Sequence, residues 1–108
     1  MIERVMKSYE ECTMREIVMD GKDWNVPDDV YDSFFGAVGA PAWHGRNFNA
    51  LRDSIAVGDI NKIEVPYIII MRNYGSIGSG AKQLATEFVQ LVKELHDSGC
   101  PVDIRVEN

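Results

Sequence analysis

A chain of 108 residues has room for one domain and little more. Its 45% apolar content, with two Trp, four Tyr and four Phe, suffices for a packed core and excludes an intrinsically disordered chain. A net charge of −6, with eleven basic residues scattered singly, excludes direct binding to a nucleic-acid backbone, which needs clustered Lys and Arg.

An acidic surface aids solubility, and it also speeds encounter with a basic partner. The first ten residues contain no apolar core of signal-peptide length, and no run approaches the ~20 apolar residues of a membrane span. The expected address is therefore the cytoplasm, without membrane attachment. Cys12 and Cys100 lie far apart and fit no metal-ligand spacing, so they read as free, inert thiols.

Residues 1–13 are read as an N-terminal extension ahead of a domain over 14–108. Ile2, Val5, Met6 and Tyr9 would share one helical stripe there, in a segment too short to fix its structure. Ile17 to Met19, ending at Asp20-Gly21, reads as the first strand. Pro27 followed by Asp28 and Asp29 opens a helix, because proline suits the first helical position and acids favour the positive end of the dipole. Val30, Phe34 and Val38 form its core stripe, and Gly39 and Pro41 end it.

A loop through Gly45 leads to Asn47, the expected N-cap of a second helix. Phe48, Leu51 and Ile55 should point inward, which leaves Asn49, Arg52 and Asp53 together on the open face, since i, i+3 and i+4 are neighbours on a helix. Val65 to Met71 is nearly continuous apolar sequence and reads as a central strand buried on both faces, with Pro66 near its start. Gly75, Gly78 and Gly80 suggest a flexible connection. A long helix follows from about residue 80 to 97, with Leu84, Phe88, Leu91 and Leu95 buried and Gly99 as its stop. Val102, Ile104 and Val106 alternate with Asp103, Arg105 and Glu107 in a half-buried last strand. Helices between strands imply an α/β fold with parallel pairing through right-handed crossovers.

A catalytic set is absent from this pattern. The two histidines, His44 and His96, lack a base-orienting partner in sequence and read as surface residues. No nucleophile elbow, zinc pair or P-loop occurs. Gly75 to Gly80 precedes a helix as a phosphate cradle would, but Lys82 is off-spacing for the motif's lysine. The reading is a protein that is not an enzyme and carries no cofactor or metal. What remains is an aromatic, Trp43, beside a helix-mounted carboxylate, Asp53, an arrangement suited to gripping another protein. A small enzyme using His44 and Asp53 is the weaker alternative, and it requires the two in hydrogen-bond reach within a concave pocket.

The pattern aromatic-x-Gly-x-Asn-x-x-x-Leu-x-Asp from Trp43 to Asp53 resembles the corresponding loop and helix of the barstar family, intracellular inhibitors of a secreted bacterial ribonuclease. The central strand at Val65 to Met71, the long helix running to Ser98-Gly99-Cys100 and the alternating last strand extend the resemblance over roughly residues 14 to 106. It implies a compact two-layer domain with a small three-stranded parallel sheet packed by helices, and a function of plugging a nuclease active site. The implied partner is a cognate basic nuclease, with the inhibitor a monomer when free. By the resemblance, Asp53 is the principal phosphate-mimicking carboxylate, Trp43 a contact aromatic, and Gly45 and Asn47 shape the approach. Glu94 is an acidic residue of the long helix that also reaches the enzyme. Two positions depart: Asn49 stands where the family has a carboxylate, and Arg52 where it has an aromatic. The contact face thus loses one negative charge and gains a positive one, which fits a diverged target, or a module that has come to regulate a host protein.

Overall fold

A computed structural model describes residues 15–41 and 43–108, and the expected extension at residues 1–13 lies outside them. Strand β1 (Arg15–Asp20) is followed by helix α1 (Pro27–Val38), helix α2 (Phe48–Ala56), strand β2 (Tyr67–Arg72), helix α3 (Ser79–Asp97) and strand β3 (Val102–Val106). The three strands form one parallel sheet in the order β1-β2-β3. This is the strand–helix–helix–strand–helix–strand order read from the sequence.

The register explains the alternation. Ile17 pairs with Ile69 and Met19 with Met71, while Tyr67 pairs with Val102 and Ile69 with Ile104. Those residues share one face of the sheet, because side chains alternate along a strand. They join Phe34, Val38, Leu51, Ile55, Phe88, Leu91 and Val92 from the helices in one core. Phe34 of α1 and Phe88 of α3 meet at a centroid separation of 5.1 Å, which locks the two longest helices together. Each fully buried side chain of this size contributes about 1.5–3 kcal/mol by leaving water. On the opposite face Ile70 is only 1% exposed, so the middle strand is apolar on both sides, as its continuous run of isoleucines implies.

Helix α1 starts through a reciprocal arrangement. Val26 has no side chain able to cap, so its carbonyl accepts from Asp29 N–H at 3.0 Å. Asp29 Oδ2 in turn accepts from Asn25 N–H at 2.7 Å and Val26 N–H at 3.1 Å. These bonds to the charged form lower the Asp29 pKa below the ordinary carboxylate range. The helix ends at Gly39, whose φ of 69° favours glycine, and a Cβ there would lie 2.8 Å from the Lys62 Cβ. Lys62 N–H donates to the Gly39 carbonyl and Ile63 N–H to that of Val38, which fastens the connection before β2 onto the end of α1.

Three expectations need correction. The segment holding Gly75, Gly78 and Gly80 is a tight junction rather than a flexible connection. Tyr74–Ser76 forms a single helical turn, Gly78 N–H donates to the Trp24 carbonyl at 2.8 Å, and a Cβ on Gly80 would run into the Asn25 carbonyl oxygen. Glycine is used there because two backbones come together. Leu84 is only half-buried, since it packs on the edge of the core and lines an open groove. Val106 is 40% exposed, as the last residue of β3.

Candidate functional site

The loop from Pro41 to Asn47 and the helix α2 that follows carry the candidate face. Asn47 adopts extended backbone and caps α2, its Oδ1 accepting from Ala50 N–H at 2.8 Å. Gly45 clears the space for that cap, because a Cβ there would lie 2.9 Å from the Asn47 carboxamide nitrogen. His44 N–H donates to the Pro41 carbonyl at 3.0 Å, and its Nε2 lies 2.9 Å from the Ala50 carbonyl oxygen. A carbonyl only accepts, so the His44 proton resides on Nε2. Ala50 is thus held at both ends, by Asn47 through its N–H and by His44 through its C=O.

His44 also packs edge-on against Phe35 of α1, with ring centroids 5.0 Å apart, and against Trp43 at 5.8 Å. Arg46 forms an ion pair with Asp32 of α1. Both partners are half-exposed, so the pair is worth under about 1 kcal/mol of stability. Its larger consequence is that the loop's own cation is neutralised and turned toward α1. The loop is therefore tied to α1 by an aromatic contact and an ion pair, and to α2 by two hydrogen bonds.

Trp43 is left outside this frame and is 77% exposed. Asn49, Arg52 and Asp53 are exposed on α2, opposite the buried Leu51, Ser54 and Ile55. Neither Asp53 nor Arg52 forms an ion pair with any described residue, and Lys62 does not reach Asp53. Glu94 is exposed on α3 and lines a groove of about 480 Å³ between α1, α2 and α3. Its other walls are Tyr31, Phe48, Leu84, Glu87, Gln90 and Leu91. Phe48, expected to point inward, is half-buried and forms the α2 side of this groove.

A pairing of His44 with Asp53 does not occur. The pocket that His44 lines is formed with Asp32, Phe35, Gly36, Ala40, Pro41 and Arg46, and Asp53 lies outside it. His44 is a strut for α2. His96 is likewise occupied, its Nδ1 donating to the Val102 carbonyl at 2.9 Å. Cys100 is a free thiol whose pKa burial pushes up, which makes it less reactive. Among the described residues no group of three His, Cys, Asp or Glu is arranged to hold a metal ion, and no helix is long and apolar enough to cross a membrane.

Sequence reasoning missed Tyr31, Phe48 and Glu87 as walls of this groove, together with the Arg46–Asp32 tie. Tyr31 and Phe35 stack at i and i+4 with centroids 6.0 Å apart, a spacing that was legible. The groove itself was not, because it exists only where three helices converge.

A family model described as Barstar (barnase inhibitor) matches residues 14–107. The chain is also similar to "Putative ribonuclease inhibitor YrdF" of Bacillus subtilis (strain 168), with 21% identity over 84 residues, covering 78% of this chain and 88% of that protein.

Proposed function

This chain belongs to the barstar family, and we propose that it inhibits a ribonuclease or related nuclease toxin as an immunity protein in the cytoplasm. The observation that carries the reading is the state of Asp53. It stands exposed on a capped, tethered helix with no ion pair to any described residue, beside a loop that presents Trp43 to solvent.

The physics follows from what a nuclease cleft must do. A cleft that holds phosphate is lined with Arg and Lys. A carboxylate on a rigid helix can take the phosphate's place, with charge-assisted hydrogen bonds to those cations. The helix is already ordered by Asn47 and His44, so little conformational entropy is lost on binding. The net charge of −6 would steer a basic enzyme toward this face. Trp43 supplies apolar contact area beside the carboxylate, and Gly45, Asn47 and Glu94 complete the surface.

Arg52 and Asn49 favour a second reading at the same face. An uncompensated guanidinium next to Asp53 opposes a uniformly basic cleft. The partner then carries an acidic or aromatic group opposite Arg52, as a regulated host protein would. Co-purification against a panel of bacterial nuclease toxins separates the two. A tight complex that blocks cleavage, lost in Asp53→Ala, supports inhibition. Capture of a protein without nuclease activity supports the regulatory module instead.

A further inference from the structure

We propose that residues 1–13 form a helix that docks on the second face of the sheet through Ile2, Val5, Met6 and Tyr9. The proposal does not depend on the nuclease reading.

The three described helices build their core on the sheet face that carries Ile17, Ile69 and Ile104. The other face carries Val18, Ile68 and Ile70, at adjoining register positions on β1 and β2. None of these three belongs to that core. Val18 is 43% exposed, a large apolar side chain turned to solvent. Ile70 sits between Val18 and Arg105 in the register, at the centre of the patch. Charged residues rim it: Glu16 and Asp103 beside Ile68, and Arg105 beside Ile70. An apolar patch with a charged rim marks a surface that receives a partner. A parallel sheet whose middle strand is apolar on both sides is one that is covered on both sides.

The chain itself supplies the occupant. The family match begins at residue 14, so residues 1–13 are an addition to the domain. Ile2, Val5, Met6 and Tyr9 recur at i, i+3, i+4 and i+7, one stripe of a helix, while Glu3, Arg4, Lys7 and Ser8 keep to its other sides. In a strand added along the β1 edge, the same four residues would divide between two faces. The stripe is about 10 Å long at the helical rise, and Val18 lies about 10 Å along β1 from Arg15. Residues 10–14 span up to ~17 Å when extended, so the tether reaches from the start of β1 back over the patch. A tether this short holds the stripe at roughly millimolar effective concentration, which favours it over a second copy of the chain. Leu51 and Ile55 of α2 pack on the opposite side of the sheet, so the docked helix leaves Trp43 and Asp53 free.

The test uses the full chain with isotope-labelled methyl groups, followed by NMR. Nuclear Overhauser contacts should connect the methyls of Ile2, Val5 and Met6 with those of Val18, Ile68 and Ile70. In the Val5→Asp, Met6→Asp double variant these contacts should vanish and the Val18 and Ile68 signals should move. Amide exchange from Met6 to Tyr9 should then accelerate about tenfold or more. Lys7→Gln, off the stripe, should change none of this. The ring signals of Phe34 and Phe88 verify in each variant that the core stays folded. Absent contacts, sheet signals indifferent to the double substitution, or an equal response to Lys7→Gln overturns the proposal. So do contacts found only between differently labelled molecules in a mixed sample, which would assign the face to a second copy.

Discussion

Asn47 and Ala50 are joined by a 2.8 Å hydrogen bond that begins α2 and so sets the direction in which Asp53 points. Removing the acceptor in Asn47→Ala should cost about 0.5–2 kcal/mol of stability, the ordinary range for a lost N-cap. Asn47→Asp should retain most of it, because the carboxylate accepts the same N–H. Urea denaturation of the three proteins measures both differences. A loss shared equally by both variants would show that the cap does not carry the effect.

Asp53→Ala separates binding from folding. Asp53 is exposed and unpaired among the described residues, so folding stability should change by less than about 0.5 kcal/mol. Against a basic partner that buries it, the same truncation should cost about 2–5 kcal/mol. Calorimetric titration of the nuclease complex gives the second number and thermal melting the first. A variant that binds as tightly as the parent ends the phosphate-mimic mechanism while leaving the fold intact.

Two glycines should respond to alanine with opposite signs. Gly36 lies on the exposed side of α1 with open space around its would-be Cβ, so Gly36→Ala should stabilise by ~0.5–1 kcal/mol through lower unfolded-state entropy. Gly80 faces the Asn25 backbone, so Gly80→Ala must push the start of α3 away and should cost about 1–3 kcal/mol. Denaturation midpoints decide both, and equal signs would contradict the close approach of α3 to Asn25.

That contrast shows where sequence reasoning stops. The element order was legible because each segment carries its own period: Val30, Phe34 and Val38 for α1, and Val102 and Ile104 alternating with Asp103 and Arg105 for β3. Asn47 was legible as a cap because capping is local. Gly78 and Gly80 were misread because their reason is Asn25, more than fifty residues away, and a glycine-rich string looks the same in a loose or a crowded junction. Trp24, 5% exposed, sits in the core without a periodic neighbour to announce it. At the site, helical spacing placed Asn49, Arg52 and Asp53 on one open face. The tethering of the loop by Phe35, His44, Asp32 and Arg46 needs α1 in three dimensions, as does the groove beside Glu94.

Asp29 links stability to pH. Its folded pKa is depressed by the Asn25 and Val26 N–H groups. The contribution is therefore present above the ordinary carboxylate range and disappears as pH falls through the lowered folded value. Asp20 behaves alike, through the Asn73 side chain, which donates to its Oδ1 at 2.8 Å, and the Lys22 N–H. Asp29→Ala should be less stable than the parent at neutral pH, and the gap should narrow below about pH 4, where the unfolded carboxylate takes up its proton. Denaturation curves across that range test the sign; a gap that widens on acidification would contradict it.

The two tryptophans report the site directly, since Trp24 is 5% and Trp43 77% exposed. In Trp43→Phe, the remaining emission should be blue-shifted and poorly quenched by acrylamide, whereas Trp24→Phe should leave red-shifted, readily quenched emission. Trp24→Phe also thins the core, at a cost of about 1–3 kcal/mol, so its fold must be verified by circular dichroism. On complex formation the Trp43 signal should shift to the blue and lose its quenching, because an aromatic at the centre of an interface is desolvated there. Trp43→Ala should then weaken binding by about 2 kcal/mol or more while leaving stability within ~0.5 kcal/mol. Emission from Trp43 that stays red and quenchable in a tight complex would place the partner on another face of the molecule.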